Sequence, residues 1–273
     1  MKKILFPVLV AIILFSACTR TDDGPGKLVI KITDDPFNIS YVESATVKIS
    51  KVEIRKAGEF DENKFLVLSE DTVTFDLLEL RNGITAELLD LEVPQGSYDL
   101  IRLYVEEASL KLKDHADAFM VKVPGGHQTG IKIFISPAIR VEGGLSSELL
   151  LDFDLSRSFV MRGNIGHAMG VTGFIFKPCI RAVDISAAGR IAGLVMDTSE
   201  VKIKNAKVWI AQDTVISTAF TDTLGHYAFI GIPSGAYSMF ATKEDYDTVA
   251  YEEVKVYSGN KTIQNFVLEK KEQ

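Results

Sequence analysis

The sequence predicts an all-β protein that folds as two β-sandwich domains. Nearly every apolar run after residue 26 alternates with polar residues at a period of two, the pattern of a half-buried strand. No long segment shows the period of a helix. The motif Pro-x-Gly-x-Tyr occurs at residues 94–98 and again at 233–237, which suggests two related halves. With 273 residues, the chain is long enough for two domains that each bury a core.

Residues 1–17 have the pattern of a bacterial lipoprotein signal peptide. Lys2 and Lys3 precede an apolar run that is too short to span a bilayer, and small residues lead up to Cys18. The stretch LFSAC resembles a lipobox, although Phe15 stands where leucine is usual. The resemblance implies that Cys18 carries a lipid, becomes the first mature residue and anchors the protein to a membrane. The alternative is an ordinary secretory signal followed by a coincidental cysteine.

Residues 18–26 are polar and contain Gly and Pro, which predicts a flexible tether. Thr19 is not the aspartate that retains lipoproteins at the inner membrane of enteric bacteria. Asp22 and Asp23 resemble the acidic export tag of Bacteroidetes surface lipoproteins. These resemblances imply an anchor in the outer membrane, on its periplasmic or its cell-surface face.

Composition and charge exclude some partners. Hydrophobic residues make up 47% and charged residues 25% of the chain, as in a folded soluble body. The net charge of −7 becomes more negative when the signal leaves, so the mature protein should repel nucleic acid and anionic headgroups. Membrane contact is therefore expected from the lipid alone. The remaining cysteine, Cys179, has no disulfide partner, and its apolar surroundings predict a buried, inert thiol in a strand.

Residues 27–186 are predicted to form the N-terminal domain. Apolar faces of period two are clearest in segments 101–105, 119–123, 131–135 and 149–155. In ATVKISKVEIRK the apolar positions change from odd to even numbers, so we expect a β-bulge near Ser50 and Lys51, although a sharp bend or a crossing between sheets would serve as well. RNGITAELLDL would suit a short helical turn.

The same block resembles a family of lipoprotein domains of unknown function. The likeness rests on segments that include KLVIKITDDP, FDLLELRNG, VPQGSYDLIRL and LLLDFDLSRSFV, in that order. The resemblance implies little about activity. The Pro-x-Gly-x-Tyr turn in this block suggests a sandwich related to the C-terminal one and enlarged by extra hairpins.

Residues 189–270 are predicted to form the C-terminal domain, after a small-residue linker near ISAAGR. The block resembles the carboxypeptidase regulatory-like domain through an ordered set of residues: Gly193, Asp197, Asn205, Ala206, Val208, Thr221, Asp222, Gly225, Tyr227, Phe229, Pro233, Gly235 and Tyr237. The resemblance implies a seven-stranded, transthyretin-like Greek-key sandwich. In the second Pro-x-Gly-x-Tyr turn, Tyr237 is expected to bury its ring and keep its hydroxyl near the turn backbone.

No catalytic, cofactor or metal motif is found. The histidines are far apart and none begins a zinc-binding pattern, although ligands from distant strands can converge: His115, His127, His167 and His226. Neither a G-x-S-x-G elbow nor a phosphate-binding glycine loop occurs. The sequence therefore predicts a protein that is not an enzyme and that needs no cofactor.

Two pairs of carboxylates invite a functional interpretation. Asp34 and Asp35 precede Pro36, and Asp152 and Asp154 alternate with apolar residues. Paired carboxylates bind calcium or serve glycosidases. The favoured interpretation is a turn at the first pair and a solvated strand face at the second.

Two kinds of surface feature are candidate contact sites. Trp209 should point away from the core face of its strand, where it would stack on a sugar ring or pack against the N-terminal domain or a neighbouring strand. Packing is the favoured interpretation. Four Asp-Thr-aliphatic sites resemble the Bacteroidetes O-glycosylation sequon, with these acceptors: Thr72, Thr214, Thr223 and Thr248.

We therefore predict a non-catalytic, lipid-anchored envelope protein that displays two β-sandwiches for binding or scaffolding, with a glycan or an envelope protein as partner. One alternative is a pilus-like assembly subunit, because some Bacteroidetes pilins are lipoproteins with two transthyretin-like domains that exchange strands after proteolysis. Arg20 lies close to the anchor, and no strand to be removed is evident before residue 27. A second alternative is an accessory module of an envelope hydrolase or receptor, since the regulatory-like domain also precedes TonB-dependent receptors.

Overall fold

The structure is a computed structural model that describes residues 24–35, 42–61, 64–113, 115–163 and 170–271. The predicted signal peptide, Cys18 and most of the tether lie outside the described residues. Within those ranges, no helix combines the length and the apolar character needed to cross a bilayer.

Strands dominate both halves of the chain, which confirms the all-β prediction. The N-terminal strands are β1 (Gly26–Asp35), β2 (Val42–Lys56), β3 (Leu66–Ser69), β4 (Val73–Asp76), β5 (Ala86–Val93), β6 (Gly96–Leu112), β7 (Phe119–Val121), β8 (Ile131–Val141), β9 (Ser146–Asp154), β10 (Phe159–Gly163), β11 (Val171–Phe176) and β12 (Ile180–Asp184). The C-terminal strands are β13 (Ala188–Asp197), β14 (Lys207–Ala211), β15 (Val215–Phe220), β16 (His226–Pro233), β17 (Gly235–Thr242), β18 (Val249–Val256), β19 (Lys261–Ile263) and β20 (Phe266–Leu268). The helical segments described are short: the 3-10 turns Leu77–Glu79 and Ile185–Ala187, and α1 (Leu155–Ser158).

The N-terminal domain has two layers of strands around one core. One layer has the order β3-β2-β6-β8, with β4 also paired to β2, and the other has the order β12-β9-β1-β5. A pairing between Ala182 of β12 and Ile135 of β8 joins the layers along one side. Ile30, Ile49 and Leu103 are among the residues buried between the layers. The β10-β11 hairpin and β7 are the additions that enlarge this sandwich.

The C-terminal domain is a smaller sandwich with a separate core. Its layers have the orders β15-β14-β17-β18 and β16-β13-β19, and β20 continues along β13 beyond β19. If β19 and β20 are taken as one interrupted strand, the domain has the seven strands that the resemblance implied. Val208, Tyr227 and Phe266 are buried in its core.

The two sandwiches share the same strand register around their Pro-x-Gly-x-Tyr turns. Gly26 of β1 pairs with Val93, the residue before the first turn. Gly189 of β13 pairs with Ile232, the residue before the second turn.

The pairings on the other side of each turn also match: Gly96 with Val141, and Gly235 with Val256. In each domain the first strand also runs parallel to a later strand, as β1 with β9 and β13 with β19. The repeated motif therefore marks a repeated architecture.

Two local predictions have opposite outcomes. The register between β2 and β6 shifts between Ile49 and Lys51, so Ser50 is the extra residue of the expected bulge. This shift keeps Ile49 and Val52 both in the core. The predicted helical turn in RNGITAELLDL is wrong, because residues 86–93 form β5, paired to β1. The pairing with β1 outweighs the helix propensity of this short segment.

Candidate functional site at the domain junction

The repeated turns have a structural role in both domains. The Tyr98 hydroxyl donates to the carbonyl of Pro94 at 2.6 Å. The Tyr237 hydroxyl donates to the carbonyl of Pro233 at 2.7 Å. Burial raises the pKa of both hydroxyls above the usual value for tyrosine. The bond of Tyr237 is the arrangement predicted from sequence, Tyr98 repeats it, and both turns therefore have a folding role.

Other residues of the regulatory-like pattern also stabilise the fold. Thr221 Oγ1 accepts a hydrogen bond from the Ala206 N–H at 2.8 Å. A Cβ at Gly193 would overlap the carbonyl oxygen of Gln264, so only glycine fits where the chain passes from β19 to β20. The Tyr227 hydroxyl donates to that same carbonyl at 2.5 Å. The strongest sequence signal in the chain therefore describes its folding and does not mark a site.

The predicted solvated face at Asp152 and Asp154 is wrong, because both residues are buried, each with 8% exposure. The reason is that β9 is covered on both faces. Leu151 faces the N-terminal core, whereas Leu150 approaches Gly231 of the C-terminal domain. Asp154 caps α1 by accepting a hydrogen bond from the N–H at position 157 at 2.9 Å. An isolated sequence gives no sign that a second domain covers this face.

Asp34 and Asp35 are the last two residues of β1, so the turn predicted for them together with Pro36 stays a prediction. The Asp34 side chain is 3% exposed and accepts a hydrogen bond from the Leu155 N–H at 3.4 Å. Pro36 lies outside the described residues. The buried carboxylates Asp34 and Asp154 therefore both contact α1, the short helix that follows β9.

Arg181 joins the two domains through its guanidinium group. Its Nη2 lies 2.6 Å from Oδ2 of Asp152, within the N-terminal domain. Its Nη1 donates to the backbone carbonyl of Gly231, in the C-terminal domain, at 3.0 Å. Burial raises the pKa of Asp152, and the charge of Arg181 opposes that rise. The ion pair thus compensates part of the cost of burying this carboxylate where the domains meet.

Small and polar residues complete the contact between the domains. Gly231 has a φ of 67°, and a Cβ there would lie 2.9 Å from the Leu150 side chain. The Asn82 amide donates to the carbonyl of Phe220 at 3.1 Å. Because Asn82 follows the 3-10 turn Leu77–Glu79 and Phe220 ends β15, this bond ties a loop of one domain to a strand of the other.

A cleft of about 410 Å³ opens beside these contacts, with walls from both domains. On the N-terminal side Lys31 and Glu148 form an ion pair at 2.9 Å. On the C-terminal side stand Arg190 of β13 and Lys261 of β19. The cleft thus has three cationic side chains and one carboxylate, in a protein whose net charge is −7. Such a cleft can hold a small anionic ligand.

Trp209 lies apart from the residues that line this cleft, on the outer face of β14. Its ring stacks on Phe240 of β17, with centroids 5.1 Å apart and an angle of 10° between the rings. The Lys207 Nζ lies 5.3 Å from the Trp209 ring centroid. These contacts agree with packing on a neighbouring strand, and a ligand role for Trp209 stays a prediction.

The remaining predicted positions lie on exposed or half-buried segments. The four candidate glycosylation acceptors are exposed and lie outside the strands: Thr72, Thr214, Thr223 and Thr248. Cys179 is half-buried and sits between β11 and β12, which corrects the prediction of a buried strand residue. Among the residues that the structure describes, no group of three or more His, Cys, Asp or Glu is placed to hold a metal ion.

Sequence reasoning missed the residues that define the junction. Arg181, Arg190 and Lys261 are single charged residues in strands, and such residues are common on protein surfaces. Only the parallel pairing of β13 with β19 brings Arg190 beside Lys261. No sequence signal distinguished them, since their proximity depends on strand pairing across about seventy residues.

Comparison with protein families gives two matches, in the predicted order. Residues 25–178 match the family described as a domain of unknown function, DUF4382. Residues 190–269 match the carboxypeptidase regulatory-like domain. A comparison with curated proteins gives no match.

Several solved structures resemble this chain at low identity. The Bacillus anthracis TIE protein is 15% identical with a TM-score of 0.26, over 90% of this chain and 34% of its own. The shaft pilin SpaA of Lactobacillus rhamnosus GG is 8% identical with a TM-score of 0.26, over 91% of this chain and 99% of its own. A type II cohesin-X-dockerin complex from Acetivibrio cellulolyticus is 15% identical with a TM-score of 0.24, over 29% of this chain and 56% of its own. The chain spans about a third of the TIE protein and about half of the cohesin-X-dockerin chain, and at these TM-scores the likenesses carry no functional argument.

Proposed function

The chain belongs to the DUF4382 family, and from this premise we propose that it is a non-catalytic, lipid-anchored cell-envelope protein that presents two β-sandwiches as one binding unit. The cleft at the domain junction carries the proposal, because both domains contribute its walls. Ligand sites commonly occur between domains. A glycan or an envelope protein is the expected partner.

The buried carboxylates support a role without catalysis. Acid-base catalysis needs a carboxylate that can reach a substrate and exchange a proton with it. Asp152 is instead held by Arg181 at 2.6 Å, and Asp154 accepts from the backbone of α1. Asp34 also accepts from that backbone. These are bonds that stabilise folded structure.

The two domains should act as one body when they bind. Arg181, Asn82 and Gly231 place polar bonds and close packing at the same junction. We expect purified mature protein to bind a component of the envelope of its own cells, and a deletion of either domain to abolish that binding. Pull-down from envelope extracts and a glycan array with the mature protein, compared with each single domain, test this. Full binding by one domain alone, or hydrolysis of peptides or glycans at enzyme-like rates, would overturn the proposal.

The lipid anchor is tested separately at Cys18. We expect metabolic labelling with a fatty acid to mark the wild-type protein and to fail for Cys18→Ser, which should leave the outer-membrane fraction. Protease treatment of intact cells then reports which face carries the protein. Retention of the Cys18→Ser protein in the outer-membrane fraction, or labelling of that variant with the fatty acid, would overturn the lipid anchor and leave the binding proposal untouched.

A strand-exchange assembly is less well supported by the structure. In such an assembly a strand leaves the sheet and its place is filled by another subunit. The first described strand, β1, is paired along both edges, to β5 and to β9, and Leu28, Ile30 and Ile32 are fully buried. Its loss would open the N-terminal core. Mature protein that polymerises after cleavage at Arg20 would favour this alternative.

A further inference from the structure

Two cations face each other in the cleft without a compensating charge. Arg190 and Lys261 are directly opposite in the parallel pair of β13 and β19, and both are exposed. Within the described ranges of the chain, neither side chain takes part in an ion pair or hydrogen bond. Like charges directly opposite destabilise a strand pair. The fold therefore tolerates a local electrostatic cost at this point.

The repeated architecture shows that this cost is not required by the fold. The N–H of Arg190 donates to the carbonyl of Asn260 at 2.9 Å, and the N–H of Lys27 donates to the carbonyl of Leu145 at 2.8 Å, so Lys27 is the equivalent position in the other domain. Lys27 is paired across the strands with an uncharged residue, Ser146.

Lys27 also has a partner of opposite charge, Asp90, at 2.9 Å. The same strand pairing thus occurs once with its cation neutralised and once with two cations side by side. A binding site often retains residues that lower stability, and the adjacent cations Arg190 and Lys261 fit that pattern.

The N-terminal wall supplies a third cation. Lys31 lines the cleft and is held by Glu148 at 2.9 Å. Asn260 and Gly259 also line the cleft. The volume of about 410 Å³ is within the range of small-molecule sites.

We propose that this cleft binds a small oxyanion between Arg190, Lys261 and Lys31, such as a phosphate group or the carboxylate of an acidic sugar. Arginine forms two parallel bonds to either group, and lysine adds a point charge. An oxyanion is thus the ligand class of the binding function proposed above. The anion site depends on that function only for where the anion comes from, which is the cell envelope.

Binding to purified mature protein tests the site directly. Isothermal titration and amide NMR shifts are measured with inorganic phosphate, glucuronate and glucose, at constant ionic strength. We expect phosphate or glucuronate to bind and to shift the amides of β13 and β19, and neutral glucose to leave them in place. If both anions bind, the site recognises the oxyanion that they share. If only glucuronate binds, the ligand is an acidic sugar, and if only phosphate binds, the ligand carries a phosphate group.

Charge-removing variants separate a built site from general attraction. Arg190→Gln and Lys261→Gln should each weaken anion binding about tenfold or more, since each removes a charge-assisted bond. Without ligand, both variants should unfold at the same or a higher temperature than wild type, because a like-charge pair is relieved. Lys255→Gln, which neutralises an exposed lysine of the same domain, is the control and should bind like wild type.

Two results would overturn the proposal. One is that neither anion binds more tightly than glucose. The other is that Lys255→Gln weakens binding as much as Lys261→Gln, which would indicate unspecific attraction. Either result leaves the pull-down with whole mature protein unaffected, so failure of the anion site and failure of the general binding function are distinguishable.

Discussion

Arg181 donates a hydrogen bond to the backbone carbonyl of Gly231 at 3.0 Å, and this bond crosses from one sandwich to the other. The same guanidinium is paired with the buried Asp152. One side chain therefore neutralises a carboxylate in the first domain and holds the backbone of the second. This dual contact ties the stability of β9 to the relative position of the domains.

Replacing Arg181 by Met should destabilise the N-terminal domain and loosen the junction. The variant leaves Asp152 buried without its cation, at an expected cost of about 3–5 kcal/mol. Urea unfolding can be followed for the whole chain by circular dichroism, and for the C-terminal domain alone by the single tryptophan, Trp209. We expect the two signals to coincide in the wild type and to separate in Arg181→Met.

A double variant distinguishes the two roles of Arg181. Arg181→Met combined with Asp152→Leu removes both charges, so most of the lost stability should return while the transitions remain separate. Arg140→Met, which removes an exposed arginine, serves as the control and should unfold like wild type. Coincident transitions in Arg181→Met would show that this contact does not couple the domains.

The C-terminal domain should lose stability in alkali because of Tyr227. Burial raises the pKa of its hydroxyl, so the folded state keeps the proton to higher pH than the unfolded state does. The stabilising contribution is therefore complete below the unfolded pKa of about 10 and is lost as pH rises through the folded pKa.

Tyr227→Phe isolates that contribution. At neutral pH the variant should be about 1 kcal/mol less stable, since the bond to the Gln264 carbonyl is lost. Between pH 9 and 11 its stability should fall less steeply than that of wild type, so the two curves converge. Tyr257→Phe, at an exposed tyrosine, should keep the wild-type slope. Parallel curves for wild type and Tyr227→Phe would contradict the argument.

The two Pro-x-Gly-x-Tyr turns should respond alike to loss of the tyrosine hydroxyl. Tyr98→Phe and Tyr237→Phe each remove a single bond to a proline carbonyl, and each should cost about 1 kcal/mol in its own domain. Urea unfolding of each single variant, followed by circular dichroism, measures the loss. A loss in only one of the two variants would show that the shared sequence motif does not reflect a shared energetic role.

How far the sequence predicts this fold depends on the range of the interactions. The bulge at Ser50 and the two tyrosine turns were predictable because they follow from alternation and spacing within a few residues. The buried state of Asp152 was not, because its cover comes from a domain that begins more than thirty residues later. A helical turn was predicted where β5 forms for a similar reason, since the strand that pairs with β5, β1, is distant in sequence.

The candidate cleft was less predictable still. Arg190 and Lys261 are adjacent only through the pairing of the first and last strands of the C-terminal domain. Lys31 joins them only because the two domains meet beside β1. Each step adds a contact between residues far apart in the chain, and local pattern has no information on such contacts.

The exposed threonines give a test of the resemblance to an O-glycosylation sequon. All four acceptors lie outside strands, where an enzyme can reach the hydroxyl without unfolding the domain: Thr72, Thr214, Thr223 and Thr248. We expect the native protein to carry mass beyond that of the lipid on Cys18, measured by intact mass spectrometry, that falls in steps as each threonine is changed to valine. A mass that accounts only for the chain and its lipid would contradict the prediction.

The stacking of Trp209 on Phe240 can be tested by changing each of the two residues in turn. Phe240→Ala removes the neighbouring ring, so we expect the C-terminal domain to lose about 1–2 kcal/mol and the Trp209 emission to shift to longer wavelength. Trp209→Phe keeps an aromatic ring on Phe240 and should retain both stability and binding to any partner recovered in the pull-down. Loss of partner binding in Trp209→Phe, with unfolding unchanged, would instead assign Trp209 to a ligand surface, because packing alone predicts the opposite.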